Sequence, residues 1–325
     1  MIRVVFFGTP DVAVFSLQAL VAAPDMDVVA VVTNPDRPRG RSSRLRPSPV
    51  KQAAVEAGIE VWQPERGRDV LARLQAAAPD VCAVVAYGSL LPRAVLDVPT
   101  HGFVNLHFSR LPRWRGAAPV QHAIRAGDTE TGVTTFVLDE GMDTGPIVSM
   151  TTVPIGKDET AGELLDRLAV DGAPLLVAAL RDLVGGLVPT PQPDEGATLA
   201  PKVSSDNVAL DFTRDAAEVA ALVRSAAPRP GAHTTWRGDR FKVLGAVTTD
   251  TVGDRGVDDV AADLEAEGTA VGPGTILGAD RDGLVVQCGD GAILATRVQP
   301  AGKAAMDAVA FANGHQPEPG ERLGP

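Results

Sequence analysis

The first half of the chain alternates short apolar runs with segments in which apolar residues recur at helical spacing. The runs predict strands and the helical spacing predicts helices. Strands are predicted over residues 2–7, 28–32, 81–86, 102–107 and 132–138, and helices over residues 11–22, 47–57, 66–77 and 159–184. Runs that are apolar on both faces and separated by helices indicate a parallel sheet covered on both sides.

The pattern changes after residue 184. Residues 185–200 are rich in Gly, Pro and acidic residues, which is typical of a linker. A helix is predicted over residues 216–225, and short strands over residues 232–236, 241–246, 274–277, 284–287 and 292–299. This succession predicts a small β-rich domain such as a barrel. Residues 250–268 are acidic and contain no aromatic residue, which predicts a solvated, partly mobile excursion.

The length and the cysteine content narrow the class of protein. A chain of 325 residues is expected to form two domains. Its two cysteines, Cys82 and Cys288, have neither CxxC nor metal-ligand spacing, so a reduced, cytoplasmic compartment and no bound metal are expected. The amino terminus does not resemble a signal peptide, and no apolar stretch is long enough to span a membrane.

The arginines are clustered although the chain is acidic overall. A formal net charge of −11 argues against broad, non-specific binding of nucleic acid. Two clusters could form local basic surfaces: Arg37, Arg39, Arg41, Arg44 and Arg46, and then Arg110, Arg113 and Arg115. A run such as the first is more often a solvated loop than a binding site. Its Pro and Ser content also suits a loop that orders on a partner.

The candidate chemistry begins with the segment NLHFSRLPRWRGAAPVQ, residues 105–121. Asn105 and His107 are two positions apart, so a strand places both side chains on one face. A neutral hydrogen-bond donor beside a group that titrates near pH 7 suits chemistry at a carbonyl. A lone strand histidine is more often structural, but the neighbouring Asn and the loop that follows favour a catalytic role. Trp114 in that loop could be a packing anchor rather than a ligand contact.

A second signal is LDEGMDTG, residues 138–145, a turn-rich loop at a predicted strand end. It lacks the ligand pattern of a calcium loop. Asp143 could simply cap a turn, or it could reach His107, where it would favour the imidazolium form and fix its orientation. Parallel sheets place their sites at the carboxyl ends of strands, where we expect His107, the loop after Ala86 and the loop after Leu138.

The turn after the first predicted strand has a single glycine, Gly8, and not the GxGxxG pattern that binds dinucleotides. An NAD-dependent dehydrogenase is therefore disfavoured. The amino terminus of the following helix could still bind an anion.

Six stretches resemble one known family, in order and over nearly the whole chain. They are FFGTPDVA, NPDRPRGRSSRLRPSPVK, VVAYGSLLP, NLHFSRLPRWRGAAPVQ, LDEGMDTGPI and QPAGKAAM. They resemble the methionyl-tRNA formyltransferase family. The Asn-x-His strand with the later Asp marks the wider class of formyltetrahydrofolate-dependent transferases. The LPRWRGAAPVQ loop and the Arg-rich loop are more specific to the tRNA enzymes.

The resemblance implies a fold, substrates and residue roles. The fold is α/β, with a Rossmann-like parallel-sheet formyltransferase domain (residues 1–186), a linker (187–203) and a C-terminal OB-like β-barrel domain that helps to hold tRNA (204–325). A cytoplasmic monomer is expected, with 10-formyltetrahydrofolate as formyl donor and initiator methionyl-tRNA as acceptor. The implied site residues are Asn105, His107 and Asp143 for catalysis; Ser109, Arg110, Leu111, Pro112, Tyr87 and Gly88 for the folate; and Arg37, Arg41 and Arg115 for the tRNA.

In that family's chemistry, Asn105 would donate a hydrogen bond to the oxyanion. His107, charged with help from Asp143, would stabilise the oxyanion and assist the proton that reaches N10 of the folate. Two residues depart from the family's commonest pattern: Phe108 stands in place of Gly and Arg110 in place of Leu. A charged Arg110 needs water or an anion, such as the glutamate tail of the folate or a tRNA phosphate.

Two other functions remain open. A formyltransferase acting on a sugar nucleotide or a purine precursor shares the Asn-His-Asp core, but it does not explain the Arg-rich loop or the appended β domain. A non-catalytic RNA-binding protein would need none of Asn105, His107 and Asp143.

Overall fold

The computed structural model describes residues 1–38 and 45–324. Two compact units make up the chain. The first consists of residues 1–119, 130–154 and 165–200, and the second of residues 120–129, 155–164 and 201–325. The domain limits given by the sequence stay a prediction. Within the described ranges, no helix is both long enough and apolar enough to cross a membrane.

A seven-stranded sheet forms the centre of the first unit. The strands of the first unit, including a separate two-stranded ladder of β3 and β4, are β1 (Ile2–Gly8), β2 (Met26–Val32), β3 (Arg37–Pro38), β4 (Leu45–Arg46), β5 (Val61–Trp62), β6 (Val81–Val85), β7 (Phe103–His107), β8 (Glu130–Val137) and β9 (Ile147–Pro154). The order across the sheet is β5-β2-β1-β6-β7-β8-β9. Strand β6 is buried at every position, as its unbroken apolar sequence predicts for a central parallel strand.

The direction of β8 differs from the prediction. Strands β5, β2, β1, β6 and β7 are parallel, but β8 runs antiparallel to β7, and β9 antiparallel to β8. The end of β8 therefore lies beside Val104 near the start of β7, whereas His107 pairs with Thr134. The prediction that the loop after Leu138 lies at the carboxyl end of a parallel strand is wrong. An apolar run identifies a buried strand without indicating its direction.

Six helices lie within residues 1–38 and 45–184. They are α1 (Asp11–Ala22), α2 (Pro49–Glu56), α3 (Leu71–Ala77), α4 (Arg93–Leu96), α5 (Pro119–Arg125) and α6 (Ala161–Val184), with a 3₁₀ turn at Gly67–Val70 before α3. A capping box begins α6. The backbone N–H of Thr160 donates to the Glu163 carboxylate at 2.9 Å, and the backbone N–H of Glu163 donates to the Thr160 hydroxyl at 3.4 Å.

The second unit contains an antiparallel sheet in the order β10-β11-β16-β15-β14, and β17 pairs with β16. Its elements are α7 (Ala216–Ala226), β10 (Ala232–Trp236), β11 (Asp239–Thr249), β12 (Thr251–Val252), β13 (Arg255–Gly256), α8 (Val257–Ala266), β14 (Ile276–Ala279), β15 (Leu284–Gln287), β16 (Ala292–Pro300), β17 (Met306–Asp307) and α9 (Ala308–His315). The edges β10 and β14 are connected through the carboxyl-terminal segment, since Leu323 bridges to Trp236 and Arg322 bridges to Thr275 next to β14.

The predicted excursion over residues 250–268 is wrong. This segment forms the short β12–β13 ladder and the helix α8. Val257 and Val260 are buried with Leu277 and Val285 in a small apolar cluster of their own. The acidic composition hid these apolar positions, which lie on one face of the helix.

Candidate active site

Strand β7 places Asn105 and His107 on the same face of the sheet. His107 is 5% exposed, whereas Asn105 is only partly buried. Within the described residues, the side-chain amide of Asn105 forms no hydrogen bond. Its N–H donors are therefore open to an oxygen atom of a bound molecule.

The imidazole of His107 is held by its Nε2 atom, which lies 2.9 Å from the backbone oxygen of Trp114. A carbonyl oxygen only accepts, so Nε2 must carry a hydrogen. In the neutral ring the other nitrogen, Nδ1, then has a free lone pair. Trp114 has left-handed backbone (φ 65°), and this turn of the loop directs the Trp114 carbonyl toward the His107 ring. Nδ1 is consequently the nitrogen at which His107 gains and loses a proton.

Asp143 lies beside that nitrogen. Its Oδ2 atom is 3.7 Å from Nδ1 of His107 and accepts a hydrogen bond of 2.7 Å from the backbone N–H of Gly116. Asp143 itself has left-handed backbone (φ 55°), which returns the loop after β8 toward His107. The loop reaches His107 in this way although β8 ends beside the start of β7. The structure thus brings Asp143 to the His107 ring, which shares a face of β7 with Asn105.

The charge of His107 differs from the prediction. Burial lowers the pKa of His107 below its ordinary value of 6.5, and this effect exceeds the opposing contributions of the Asp143 carboxylate and the Trp114 carbonyl. The resting form near neutral pH is therefore the neutral imidazole rather than the imidazolium. Asp143 still favours the proton on Nδ1 whenever the ring takes one up.

The segment from Ser109 to Pro112, predicted to line the folate site, is held by internal hydrogen bonds. The Ser109 hydroxyl donates to the Arg113 carbonyl at 2.7 Å, and the Thr134 hydroxyl donates to the Ser109 carbonyl at 2.7 Å. The backbone N–H of Leu111 donates to that same Thr134 hydroxyl at 3.2 Å. Ser109 and Leu111 are buried and Pro112 is partly exposed. The loop after His107 is thus held by hydrogen bonds of the protein itself.

The negatively charged partner of Arg110 is a residue of the protein itself. Through its guanidinium, Arg110 forms an ion pair with Glu130 at the start of β8. Its stem packs on Gly132, where a Cβ atom would lie 2.7 Å from Cγ of Arg110. The sequence pattern could not identify this partner, because the two residues meet only through the antiparallel pairing of β7 and β8.

Tyr87 and Gly88 follow β6 at its carboxyl end. The ring of Tyr87 packs in the core, 5.3 Å from the Phe7 ring, and burial raises its pKa to about 12. Its backbone carbonyl accepts a hydrogen bond of 2.8 Å from the side chain of Asn34, which also accepts from the Ser89 hydroxyl at 3.1 Å. Asn34 thus holds the loop of Tyr87 and Gly88 in place, a role that no local motif indicated.

The residues predicted to contact tRNA have different surroundings. Arg37 is exposed in the two-stranded ladder of β3 and β4, where it pairs with Arg46. Arg41 lies outside the described residues. Arg115 is partly buried, and its Nε and Nη2 atoms donate to Gln192 Oε1 at 3.1 and 2.8 Å.

Family models match almost the whole chain. The formyl transferase family matches residues 2–180, and the formyl transferase C-terminal domain family matches residues 202–316. A methionyl-tRNA formyltransferase of Streptomyces coelicolor is 46% identical over 325 residues, which cover 99% of each chain. The chain belongs to the methionyl-tRNA formyltransferase family. A second member of the family, from Thermobifida fusca, is 48% identical with the same coverage.

Two solved structures share the fold of this family member at low sequence identity. The N-formyltransferase of Helicobacter canadensis, solved with folinic acid and dTDP-3-aminofucose, superposes with a TM-score of 0.65 at 18% identity and covers 92% of this chain and 100% of its own. The sugar 3N-formyl transferase WlaRD gives a TM-score of 0.65 at 16% identity, with coverages of 94% and 99%. Residues 1–38 and 45–324 contain no cluster of three or more side chains of the kinds that hold a metal ion.

Proposed function

We propose that this chain transfers the formyl group of 10-formyltetrahydrofolate to the amino group of methionine on initiator methionyl-tRNA. One observation carries the proposal. The amide of Asn105, which has no hydrogen-bond partner in the described part of the chain, shares a face of β7 with a buried imidazole whose titrating nitrogen is 3.7 Å from Asp143. The Asn105 amide is a hydrogen-bond donor and the His107 imidazole is a proton carrier. The chain that carries them is 46% identical to a named methionyl-tRNA formyltransferase.

The reaction makes a bond between the amino nitrogen and the formyl carbon, and it breaks the bond from that carbon to N10. Negative charge develops on the formyl oxygen in between. The amide of Asn105 is the group to donate a hydrogen bond to this oxygen, because it has no other partner among residues 1–38 and 45–324. A well-placed donor of this kind is worth about 3 kcal/mol in the transition state.

His107 moves the proton. As a neutral ring it accepts a proton from the attacking amine at Nδ1, and as an imidazolium it returns a proton to N10 as the leaving bond breaks. Proton transfer by a positioned group typically contributes about 10²–10⁴ in rate. Asp143 stabilises the transient imidazolium, while the Trp114 carbonyl keeps the ring in one tautomer.

The remaining site residues position the two substrates. We propose that Ser109, Arg110, Leu111 and Pro112, together with Tyr87 and Gly88, border the folate. The Arg-rich loop and the second unit hold the tRNA, with Arg37 and Arg41 as contacts. The two free, buried cysteines support action in the cytoplasm, and we propose that the protein acts as a monomer.

Asn105→Ala is expected to lower kcat by about 10²–10³-fold, because the developing oxyanion loses its donor. Formation of the folate complex is expected to persist, since the interaction belongs to the transition state. Single-turnover rates at saturating folate measure this effect directly. A rate within twofold of wild type would remove Asn105 from the mechanism.

Arg41→Ala is expected to raise the KM for methionyl-tRNA while the rate at saturating tRNA is kept. A lost phosphate contact also makes log KM less dependent on log salt. The control is Arg68→Ala, which removes a charge whose side chain is 64% exposed on the 3₁₀ turn. Identical tRNA and salt dependence in the two variants would exclude Arg41 from tRNA binding.

The function is tested by comparing acceptors. Purified protein and 10-formyltetrahydrofolate are incubated with initiator methionyl-tRNA, with free methionine or with a dTDP-linked amino sugar, and kcat/KM is measured for each. We expect methionyl-tRNA to exceed both others by orders of magnitude. A preference for the amino sugar would assign the protein to the sugar nucleotide class instead.

A further inference from the structure

Gln192 joins two loops of the candidate site. Its Nε2 donates to the backbone oxygens of Asp143 at 2.9 Å and Gly145 at 2.7 Å. Its Oε1 accepts from the guanidinium of Arg115. A single partly buried amide thus fixes the loop that carries Asp143 to the loop that holds His107.

Gln192 belongs to residues 190–200, which we call the strap. At its start the strap pairs with β9, since Thr190 and Ile147 exchange two backbone hydrogen bonds of 2.7 and 2.8 Å. At its end the backbone N–H of Ala200 donates a hydrogen bond of 2.7 Å to the backbone oxygen of Arg115. Gln192 is therefore held from both ends against the two loops it connects.

The strap also contacts the residues that touch His107 and Asp143. The Thr198 hydroxyl accepts from the backbone N–H of Trp114 at 2.9 Å, and Trp114 supplies the carbonyl that holds Nε2 of His107. Gly116, which donates to Asp143, fits so closely on the strap that a Cβ there would lie 2.7 Å from the Ala200 carbonyl. Any displacement of the strap would therefore move the surroundings of both side chains.

We infer that Gln192 is a positioning residue for the Asp143–His107 pair, and that Arg115 acts on the reaction by orienting Gln192. This inference rests on the proposed function. It gives Arg115 a role different from contact with tRNA, because the guanidinium faces an amide oxygen of its own chain. A displacement of such a group by about 1 Å is enough to reduce the reaction rate about 10²-fold.

Gln192→Met keeps the length of the side chain and removes its donors and its acceptor. We expect a loss of about 10–100-fold in kcat, with the KM for methionyl-tRNA unchanged. Arg115→Met is expected to give a smaller loss of kcat with the same unchanged KM. A raised KM for tRNA in Arg115→Met, with kcat unchanged, would return that residue to tRNA binding and overturn its assignment.

A titration of the His107 ring by NMR tests the inference without using activity. Asp143 is the charged group that acts on His107 among the described residues, and it raises the pKa of the ring. When Gln192→Met loosens Asp143, the pKa of His107 should fall toward its value in Asp143→Asn. In the double variant Gln192→Met/Asp143→Asn, the pKa and kcat should match those of Asp143→Asn alone, since the two residues act as one unit.

The control is Arg3→Met, which removes a side-chain bond of 2.8 Å to the Ala77 carbonyl at the amino ends of the parallel strands. It should leave the pKa of His107 and kcat unchanged. An unchanged pKa in Gln192→Met, or additive losses in the double variant, would refute the positioning role. If wild-type protein transfers no formyl group, the proposed function fails, and the titration still decides whether Gln192 positions Asp143.

Discussion

His107→Ala is expected to lower kcat for formyl transfer by about 10²–10⁴-fold while folate binding is retained. The ring is the proton carrier of the proposed reaction, and its Nδ1 is the one nitrogen that is not committed to the Trp114 carbonyl. Without it, the amine must lose its proton to water, and N10 must leave without a proton donor. Single-turnover kinetics on initiator methionyl-tRNA measure the loss.

The matched control for this variant is His101→Ala. His101 lies just before the amino end of the same strand and is not one of the three candidate catalytic residues. Its replacement should leave turnover near the wild-type value. Because His107 is buried, thermal unfolding of His107→Ala must be recorded to separate lost catalysis from lost fold. Near-normal turnover by a folded His107→Ala protein would remove the proposed mechanism.

Asp143→Asn is expected to lower kcat by about 10²-fold, since the transient imidazolium loses its counter-charge. The substituted amide keeps an oxygen for the Gly116 N–H, so the loop should retain its position. The variant should also change the pH dependence. Neutral His107 is the reactive form, so kcat/KM rises with pH through the pKa of His107, which lies below 6.5 in the wild-type protein.

Removal of the carboxylate lowers that pKa further, because Asp143 is one of the two groups that raise it. The acid limb of the pH profile should therefore move to lower pH, while the plateau falls. Asp139→Asn is the control in the same loop: Asp139 accepts from the Thr144 hydroxyl at 2.7 Å and caps the turn. An acid limb that stays in place in Asp143→Asn would contradict the coupling of Asp143 to His107.

The pattern of hydrophobic residues along the chain was enough to predict several strands and helices. The central strand β6, the helix α6 and the β-rich second unit are confirmed. The antiparallel direction of β8 was missed because an apolar run predicts a buried strand but does not indicate which way the strand runs in the sheet. Helix α8 was missed because acidic residues outnumber the few valines and leucines that pack it.

The site was predicted as far as residue types and strand spacing could define it. Asn105 and His107 share a face because they are two residues apart, and Asp143 lies 3.7 Å from the ring. The resting charge of His107 was not predictable, since burial outweighs the carboxylate only in the folded chain. Gln192 lies in a Pro-rich stretch with no motif, so its contacts with Asp143 and Arg115 appear only in three dimensions.

The most direct test of the central claim follows the formyl carbon itself. Wild-type protein is given ¹³C-formyl-labelled 10-formyltetrahydrofolate and initiator methionyl-tRNA, and the amino acid released from the tRNA is analysed by mass spectrometry. We expect labelled N-formylmethionine with the wild-type protein, and labelling at least about 10²-fold slower with His107→Ala. Unlabelled methionine from the wild-type reaction, or equal labelling by both proteins, would contradict the central claim.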